Sequence, residues 1–381
     1  MRIGIVGDTH FGFSFGTERA DDSYEEARRA IAAIVERKPD LIILPGDVFD
    51  SAVPRQEVLA KGAEILREFS TSLPGTGLNA VPAGRALPNG IPIVAIHGTH
   101  ERRPKGFTNP LQVMEKAGVL VYLHGETLVL EKGPERIAIT GIGGVPEEYF
   151  PEVLRKLSPK PVPGARNIFL FHQNVTDFLP GLVEGASLSM LPPGFDLYVD
   201  GHIHWGFQVA RHGGGKVIFS GSTITTQIRK NEADAGKAVW LVDSETLGIE
   251  RIPFEPFRRV FLAEAESIKD AVELLLKIPE APRKPLVRLK LSGKETDFSQ
   301  ITGLFSEKFI LSIERVGAEQ PPQSGKEMAT PEKVERKAAQ ILGRLLSGKL
   351  SQERTEEIYS FLLLGRELEA SEALVSANAR N

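Results

Sequence analysis

Residues 1–10 read MRIGIVGDTH, and this stretch decides the fold. A β-branched run over 2–6 reads as a buried strand, and it gives way at Gly7 to Asp8, Thr9 and His10. An acid and an imidazole just past the end of a buried strand stand where open α/β sheets bind ligands. The same pattern recurs down the chain. Predicted strands at 41–44, 93–96, 167–171 and 197–199 run into Gly46-Asp47, Gly98-Thr99-His100-Glu101, His172-Gln173 and Asp200-Gly201-His202-Ile203-His204. Polar helical stretches alternate with these runs up to about Pro256, the pattern of a layered α/β domain.

Between the first two strands, Ser23-Tyr24-Glu25-Glu26 has a capping-box pattern, and Ala27, Ile31, Ile34 and Val35 follow at helical spacing. That is a β-α-β unit, which makes the first two strands parallel. A second helix is predicted over 55–69, and a third opens with Asn109 as N-cap and Pro110 at the first helical position. The Gly-, Pro- and Asn-rich stretch 71–90 reads as a long exposed loop or insertion, and Gly213 to Gly215 as a hairpin turn. The runs 217–220, 238–242 and 249–252 lack intervening helices and read as an antiparallel set. A small α+β unit is expected over 257–316 and a linker over 317–329. Two amphipathic helices follow, one opening at Thr330-Pro331 and one after Ser351, that pack on their own domain or dock a partner.

The 381 residues carry 46 Lys plus Arg against 50 Asp plus Glu, and no cysteine. Disulfides, thiolate zinc sites, iron–sulfur clusters and a cysteine nucleophile are excluded. No secretory apolar region or membrane-length run is present in the sequence, so a soluble, cytoplasmic protein is expected. A net charge of −4 gives no compositional sign of a nucleic-acid binder, so any such reading must come from a site.

That site is foreshadowed by the histidines. Five of the eight, at 10, 100, 172, 202 and 204, fall just past predicted strand ends, beside Asp8 and Asp47. Imidazoles and carboxylates without sulfur suit Mn, Fe, Zn or a similar first-row ion. Two acids and several histidines exceed what one ion needs. In a two-metal site about 3.5 to 4 Å across, one carboxylate bridges both ions, and Asp47 is the natural bridge.

The order D-x-H, G-D, G-x-H, H, G-H-x-H over about residues 1–256 resembles the calcineurin-like metallophosphoesterase superfamily. Its details are similar to the meiotic recombination eleven and SbcD family of DNA-repair nucleases: DTHFG at 8–12, GDVFDSAVP at 46–54, FHQ at 171–173, DLYVDGHIH at 196–204 and FSGS at 219–222. The resemblance implies a four-layer α/β/β/α sandwich with a small α+β capping domain and a helical C-terminal tail. It implies one metal held by Asp8, His10, Asp47 and His204, another by Asp47, His172, His202 and residue 99, and His100 as the catalytic histidine. It implies two Mn ions, 3′-to-5′ exonuclease action on duplex DNA, and endonuclease action on single strands or hairpins. The partners it implies are DNA, a second copy of the chain and an SMC-like repair ATPase docked by the tail helices, in a cytoplasmic, nucleoid-associated setting.

One departure stands out. The family's third motif usually reads GNHD or GNHE, with the Asn amide oxygen on the second metal; here Thr99 offers a shorter and poorer hydroxyl. Weaker binding of the second ion is the expectation. Two other readings follow: a phosphatase or cyclic-nucleotide phosphodiesterase of the same superfamily, and a weakly catalytic DNA-binding scaffold. Arg102, Arg103 and Lys105 meet DNA phosphates or form a solvated face. Asp50 and Asp200 orient a ligating histidine or cap a turn, His97 belongs to the core, and Trp205 lines the cleft or packs beneath it.

Overall fold

The apolar runs become strands buried on both faces, so period-2 alternation sorts their side chains between two different cores. The computed structural model describes residues 1–81, 85–104, 106–179, 185–293 and 297–315. The predicted linker at 317–329, the tail helices from 330 and Lys105 lie outside the described residues.

Among the described residues the first sheet runs, in spatial order, Ile249–Pro253, Ala238–Asp243, Arg2–Ile5, Leu41–Leu44, Ile93–Ala95, Val121–Tyr122. Its last four strands are mutually parallel, as the β-α-β reading requires. The second sheet runs Phe207–His212, Gly215–Phe219, Leu197–Asp200, Arg166–Phe171, Glu135–Gly141, Glu126–Lys132, Asn79–Val81. Ile3, Ile5, Leu41 and Ile43 share one core with Leu170, Val199 and Ile218 between the sheets. Ile42 and Leu44, on the opposite face, share another with Ala27, Ile31 and Ile34 of helix Asp22–Val35 and with Ile65 and Leu66 of helix Gln56–Thr71. Phe169, Phe171 and Phe219 form a third with Phe150 and Leu154 of helix Phe150–Leu157. Each such side chain, fully buried, contributes about 1.5–3 kcal/mol. The layers are helix, sheet, sheet, helix.

Three expectations are corrected. Helix Asp22–Val35 starts before the capping-box pattern: Asp21 is its N-cap, without a side-chain cap bond, and Ser23 is buried inside the first turn. The stretch 71–90 is not all loop, since Asn79–Val81 pairs antiparallel with Glu126–Lys132 as an edge strand. The antiparallel set is split between the sheets. Gly215–Phe219 joins the second sheet, parallel to Leu197–Asp200, whereas Ala238–Asp243 returns to the first, antiparallel to Arg2–Ile5. Asn109 caps its helix as expected, its side chain accepting from Gln112 N while Pro110 opens Pro110–Lys116.

Strands Val260–Ala265, Leu286–Leu291 and Ile310–Arg315 form a third sheet with helices Ile268–Leu275 and Ser299–Phe305. Ala271, Leu275, Val287, Leu289, Ile301 and Phe305 give it a core of its own. Residues Met1–Glu314 nonetheless form one compact unit. Buried Arg258 is the anchor: its Nε donates to Asp22 Oδ1 at 2.8 Å and its Nη2 to the Glu18 carbonyl at 3.0 Å. No helix among the described residues is long and apolar enough to cross a membrane.

Glu26 sits at the same junction, accepting Phe257 N–H at 2.9 Å through Oε1 while its buried Oε2 has no partner. Burial pushes its carboxyl up to about 7, against the pull of the Phe257 N–H, Lys237 and Arg29. A carboxyl with a raised folded-state value stabilises the fold below its unfolded value and loses that contribution as pH rises through about 7. Glu26→Gln therefore flattens the fall of melting temperature between about pH 5 and pH 8. Equal slopes for variant and wild type would remove Glu26 from this role.

Candidate metal centre

Parallel strands deliver their C-terminal loops to one edge, and the two facing sheets bring those edges together. Asp8 and His10 follow Arg2–Ile5, Asp47 follows Leu41–Leu44, His172 follows Arg166–Phe171, and His202 and His204 follow Leu197–Asp200. Three sets of donor atoms converge, all within 4.8 Å in each set: Asp8, His10 and His204; His10, Asp47 and His100; Asp47, His172 and His202. The backbone is strained to achieve this. His10, Asp47 and His202 adopt φ of 46°, 45° and 61°, a left-handed region that non-glycine residues occupy at functional sites when the surroundings hold them there. The adjoining glycines have no room for a side chain. A Cβ on Gly98 would stand 2.1 Å from Asp47 Oδ1, and one on Gly46 would stand 2.3 Å from His172 Nδ1.

Three of the inward histidines have their outer nitrogen occupied. His172 Nδ1 meets the Pro45 carbonyl at 2.8 Å, His10 Nδ1 meets Asp50 Oδ1 at 3.0 Å, and His204 Nδ1 meets Thr226 Oγ1 at 3.1 Å. An N–H held by the Pro45 carbonyl or the Asp50 carboxylate fixes the tautomer that leaves the Nε2 lone pair for the cluster, the usual second partner of a metal-bound histidine. The Nε2 atoms meet there: His10 to His204 at 3.2 Å, His204 to Asp8 Oδ2 at 3.7 Å, His172 to Asp47 Oδ2 at 3.2 Å.

The electrostatics ask for a cation. Burial pushes Asp8 well above the usual carboxylate range; His172 opposes this and neighbouring Asp47 adds to it. Burial acts on Asp47 in the same direction, but His172, His10 and His100 outweigh it and hold that carboxyl well below the usual range. For His172, burial works against the charged ring, yet Asp47 and Asp8 prevail and raise it to about 10. Burial, followed by neighbouring imidazoles, pushes His202 down to about 3 and His204 well below its ordinary value, so both are neutral lone-pair donors. Asp8 Oδ1 and His172 Nε2 are buried without a hydrogen-bond partner. Carboxyl oxygens and imidazole nitrogens, two of them buried without a partner, fit first-row divalent ions, whose binding displaces the protons that Asp8 and His172 hold without one.

His100 differs from the buried histidines of the cluster in being 45% exposed. Its backbone N–H donates to Asp47 Oδ1 at 2.8 Å, while its Nδ1 lies 3.1 Å from the Asp50 carbonyl and 3.4 Å from Asp50 Oδ1. Asp50 thus touches both His10 and His100, which resolves its two sequence readings toward orienting histidines. Thr99 Oγ1 donates to Asp47 Oδ2 at 3.3 Å. Fully buried Glu101 accepts the N–H groups of Phe49 and Gly98, each at 2.8 Å, and so ties the second and third loops together. Burial, reinforced by Asp47, pushes its carboxyl up to about 8.

Asp200 accepts Gln173 N–H at 3.0 Å and touches no histidine nitrogen among its hydrogen bonds. His97 is buried against Tyr122, whose hydroxyl is 2.7 Å from Nδ1, as expected of a core residue. Trp205 packs on the outer core of the second sheet. Exposed Arg102 follows the site directly, and Arg103 is held by the Ala52 carbonyl at 3.3 Å with its guanidinium over the Phe107 ring. Thr226 had no signal in the sequence, for it meets His204 across 22 residues of chain.

Residues 1–206 match the calcineurin-like phosphoesterase family. The chain belongs to that family. Among curated proteins it is 28% identical over 254 residues to the DNA double-strand break repair protein Mre11 of Saccharolobus solfataricus, covering 64% of this chain and 60% of the relative. The Methanopyrus kandleri protein of the same name is 28% identical over 221 residues, 54% of this chain and 44% of the relative. The one from Thermoplasma acidophilum is 29% identical over 306 residues, covering 75% of each. The chain spans about half the length of several of the curated relatives it matches.

Proposed function

We propose that this phosphoesterase is a metal-dependent DNA nuclease that processes double-strand-break ends, acting 3′ to 5′ on duplexes and endonucleolytically on single strands or hairpins. The observation that carries the reading is the convergence of Asp8, His10, Asp47, His172, His202 and His204 on one edge of the sandwich. The relatives named for double-strand-break repair support the choice of DNA. One ion would be held by Asp8, His10, Asp47 and His204, and a second by Asp47, His172 and His202, with Thr99 at its margin; Mn is the proposed metal. The ions, when bound, supply charge neutralisation for the phosphodiester and a nucleophile at neutral pH.

The chain's own residues do the rest. Asp50 fixes the Nδ1–H side of His100, which leaves Nε2 without a partner among the described residues and, when the ring carries both protons, available to hand one to the departing 3′ oxygen. The third sheet is the proposed cap that orients DNA over the site. The partners proposed are a second copy of the chain and an SMC-like repair ATPase docked by the helices predicted from 330 onward, in a cytoplasmic, nucleoid-associated setting. Mn-dependent degradation of end-labelled linear duplex, run beside a small chromogenic phosphodiester, tests the reading. Turnover of the small ester alone transfers the weight to the phosphodiesterase reading.

Thr99 bears on metal stoichiometry. Its hydroxyl is engaged with Asp47 Oδ2 and is a poorer donor than an amide oxygen, so the second ion is short of a strong fourth protein ligand. Titration calorimetry with Mn is expected to resolve one tighter and one weaker site, and Thr99→Asn to tighten the weaker by on the order of tenfold. Two equally tight sites in the wild type would overturn the expectation.

A further inference from the structure

The segment 221–226 grips two of the converging residues, Asp8 and His204. The Asp8 N–H donates to the Gly221 carbonyl at 3.2 Å, and the Asp8 carbonyl accepts from Thr223 N–H at 2.9 Å and from Thr223 Oγ1 at 3.3 Å. The His204 carbonyl accepts from Ser222 N–H at 3.1 Å, and Thr226 Oγ1 meets His204 Nδ1 at 3.1 Å. These bonds set where the Asp8 carboxylate and the His204 ring can point, so the segment can serve the site only if it is itself held. It is a loop between strand Gly215–Phe219 and helix Lys230–Ala235, and among the described residues its sheet contact is a single bridge, from Ser222 to Asp8.

Lys237 supplies an anchor. Its ammonium carries three N–H donors and directs one to each of three acceptors: Glu232 Oε1 at 2.6 Å, Ser222 Oγ at 2.9 Å and the Ile224 carbonyl at 3.0 Å. Ser222 Oγ in turn donates to that carbonyl at 2.7 Å. Both Lys237 and Glu232 are buried. A buried ion pair adds little stability over apolar side chains of the same volume, so stability alone does not account for this one. Only one of the three donors serves the pair, and the other two serve the segment that carries Thr226.

We infer that Lys237, anchored by Glu232, is a positioning residue for the proposed first ion: it holds segment 221–226 in place and, through it, the Asp8 backbone and the His204 ring. The inference rests on the metal-centre reading and extends it to a pair that hydrogen-bonds none of the site's donor atoms among the described residues. Charge and position make opposite demands on this ammonium. Its charge reaches His204, where it joins burial and His10 in holding the imidazole low. If charge were its role, removing a cation beside a bound divalent ion would tighten metal binding. If it positions, removal loosens the site.

The test is Mn titration calorimetry of the full chain, comparing wild type with Lys237→Met and with the double variant Glu232→Met/Lys237→Met. The double variant replaces the whole pair by apolar side chains and so keeps the fold even where Lys237→Met, leaving Glu232 buried without its partner, does not. Melting in EDTA checks that fold. Both variants are expected to weaken the tighter Mn site about 10- to 100-fold, the range for groups that orient a metal ligand, and to leave the weaker site unchanged. Ser222→Ala keeps the pair, removes one link to the segment, and should weaken the same site by a smaller factor. In a Thr226→Val background Lys237→Met should add little, whereas beside Thr99→Asn, which acts on the other ion, it should keep its full effect. A merely structural role gives neither pattern, because general loosening lowers both sites. Equal weakening of both sites, or unchanged or tighter Mn binding in the folded double variant, overturns the inference and leaves the metal centre standing. A wild type that takes up no divalent ion sinks the metal-centre reading itself, and the inference with it.

Discussion

Asp47→Ala is expected to remove most of the metal-dependent behaviour of the protein at once. Its Oδ2 lies 3.2 Å from His172 Nε2 and accepts from Thr99, its Oδ1 accepts from the backbone of His100, and it belongs to two of the three convergent donor sets. Removing a group that merely orients a metal ligand lowers affinity about 10- to 100-fold. A carboxylate that serves both proposed ions exceeds that range. Wild type in Mn at 100 times its dissociation constant gains about 2.7 kcal/mol of stability, which is visible as a raised melting temperature. Asp47→Ala should show little of this shift, and DNA cleavage should fall by at least about 10²-fold. A variant whose melting temperature still responds fully to Mn would show that Asp8, His10 and His204 hold metal without a bridge. Gly98→Ala offers a check from the other side: a methyl 2.1 Å from Oδ1 displaces the carboxylate without changing its charge.

Three of the first sheet's four parallel strands were legible because the runs 2–6, 41–44 and 93–96 are dominated by β-branched and leucine residues and reach a glycine within two residues of their ends, whereas the short strand Val121–Tyr122 was not read. Being buried on both faces, Leu41–Leu44 carries no alternation that a helix could imitate over so short a span. The hairpin Glu126–Lys132 with Glu135–Gly141 was not read as strands, although Leu128 and Leu130, Ile137 and Ile139 alternate around the Gly133-Pro134 turn. Charged ends on both strands masked the pattern. Sheet membership was the other loss. Gly215–Phe219 and Ala238–Asp243 look alike locally, and only tertiary pairing sends one to each sheet.

The candidate centre was legible to a similar depth. Residues whose chemistry is written in the side chain, such as Asp8, His10 and His172, were identifiable one at a time. Those that act by position were not. Thr226 and the Pro45 carbonyl meet histidines far along the chain, and Glu101 became significant only when its two carboxylate oxygens proved to hold separate loops. Asp50 lies three residues past Asp47, a spacing that suggested proximity without deciding which ring it faces.

His100→Ala is expected to separate proton transfer from metal binding. The His100 ring is 45% exposed, whereas His172 is fully buried, and the His100 Nδ1 is taken by Asp50, so loss of the His100 ring leaves the Asp8, His10 and His204 set intact. General acid catalysis by a positioned side chain contributes about 10²- to 10⁴-fold, and DNA cleavage should fall by that range while calorimetric Mn binding is unchanged. The loss should depend on the leaving group. A 3′ alkoxide of DNA departs slowly without a proton, whereas a nitrophenolate needs none, so turnover of the chromogenic diester should fall far less. Equal losses on both substrates would assign His100 to charge stabilisation of the phosphoryl group instead. Asp50→Asn keeps the carbonyl contact and removes the carboxylate, so it should reproduce the DNA-selective defect at smaller size. That result would locate the effect in the orientation and basicity of the ring, since an amide of the same shape still fills the space between His10 and His100.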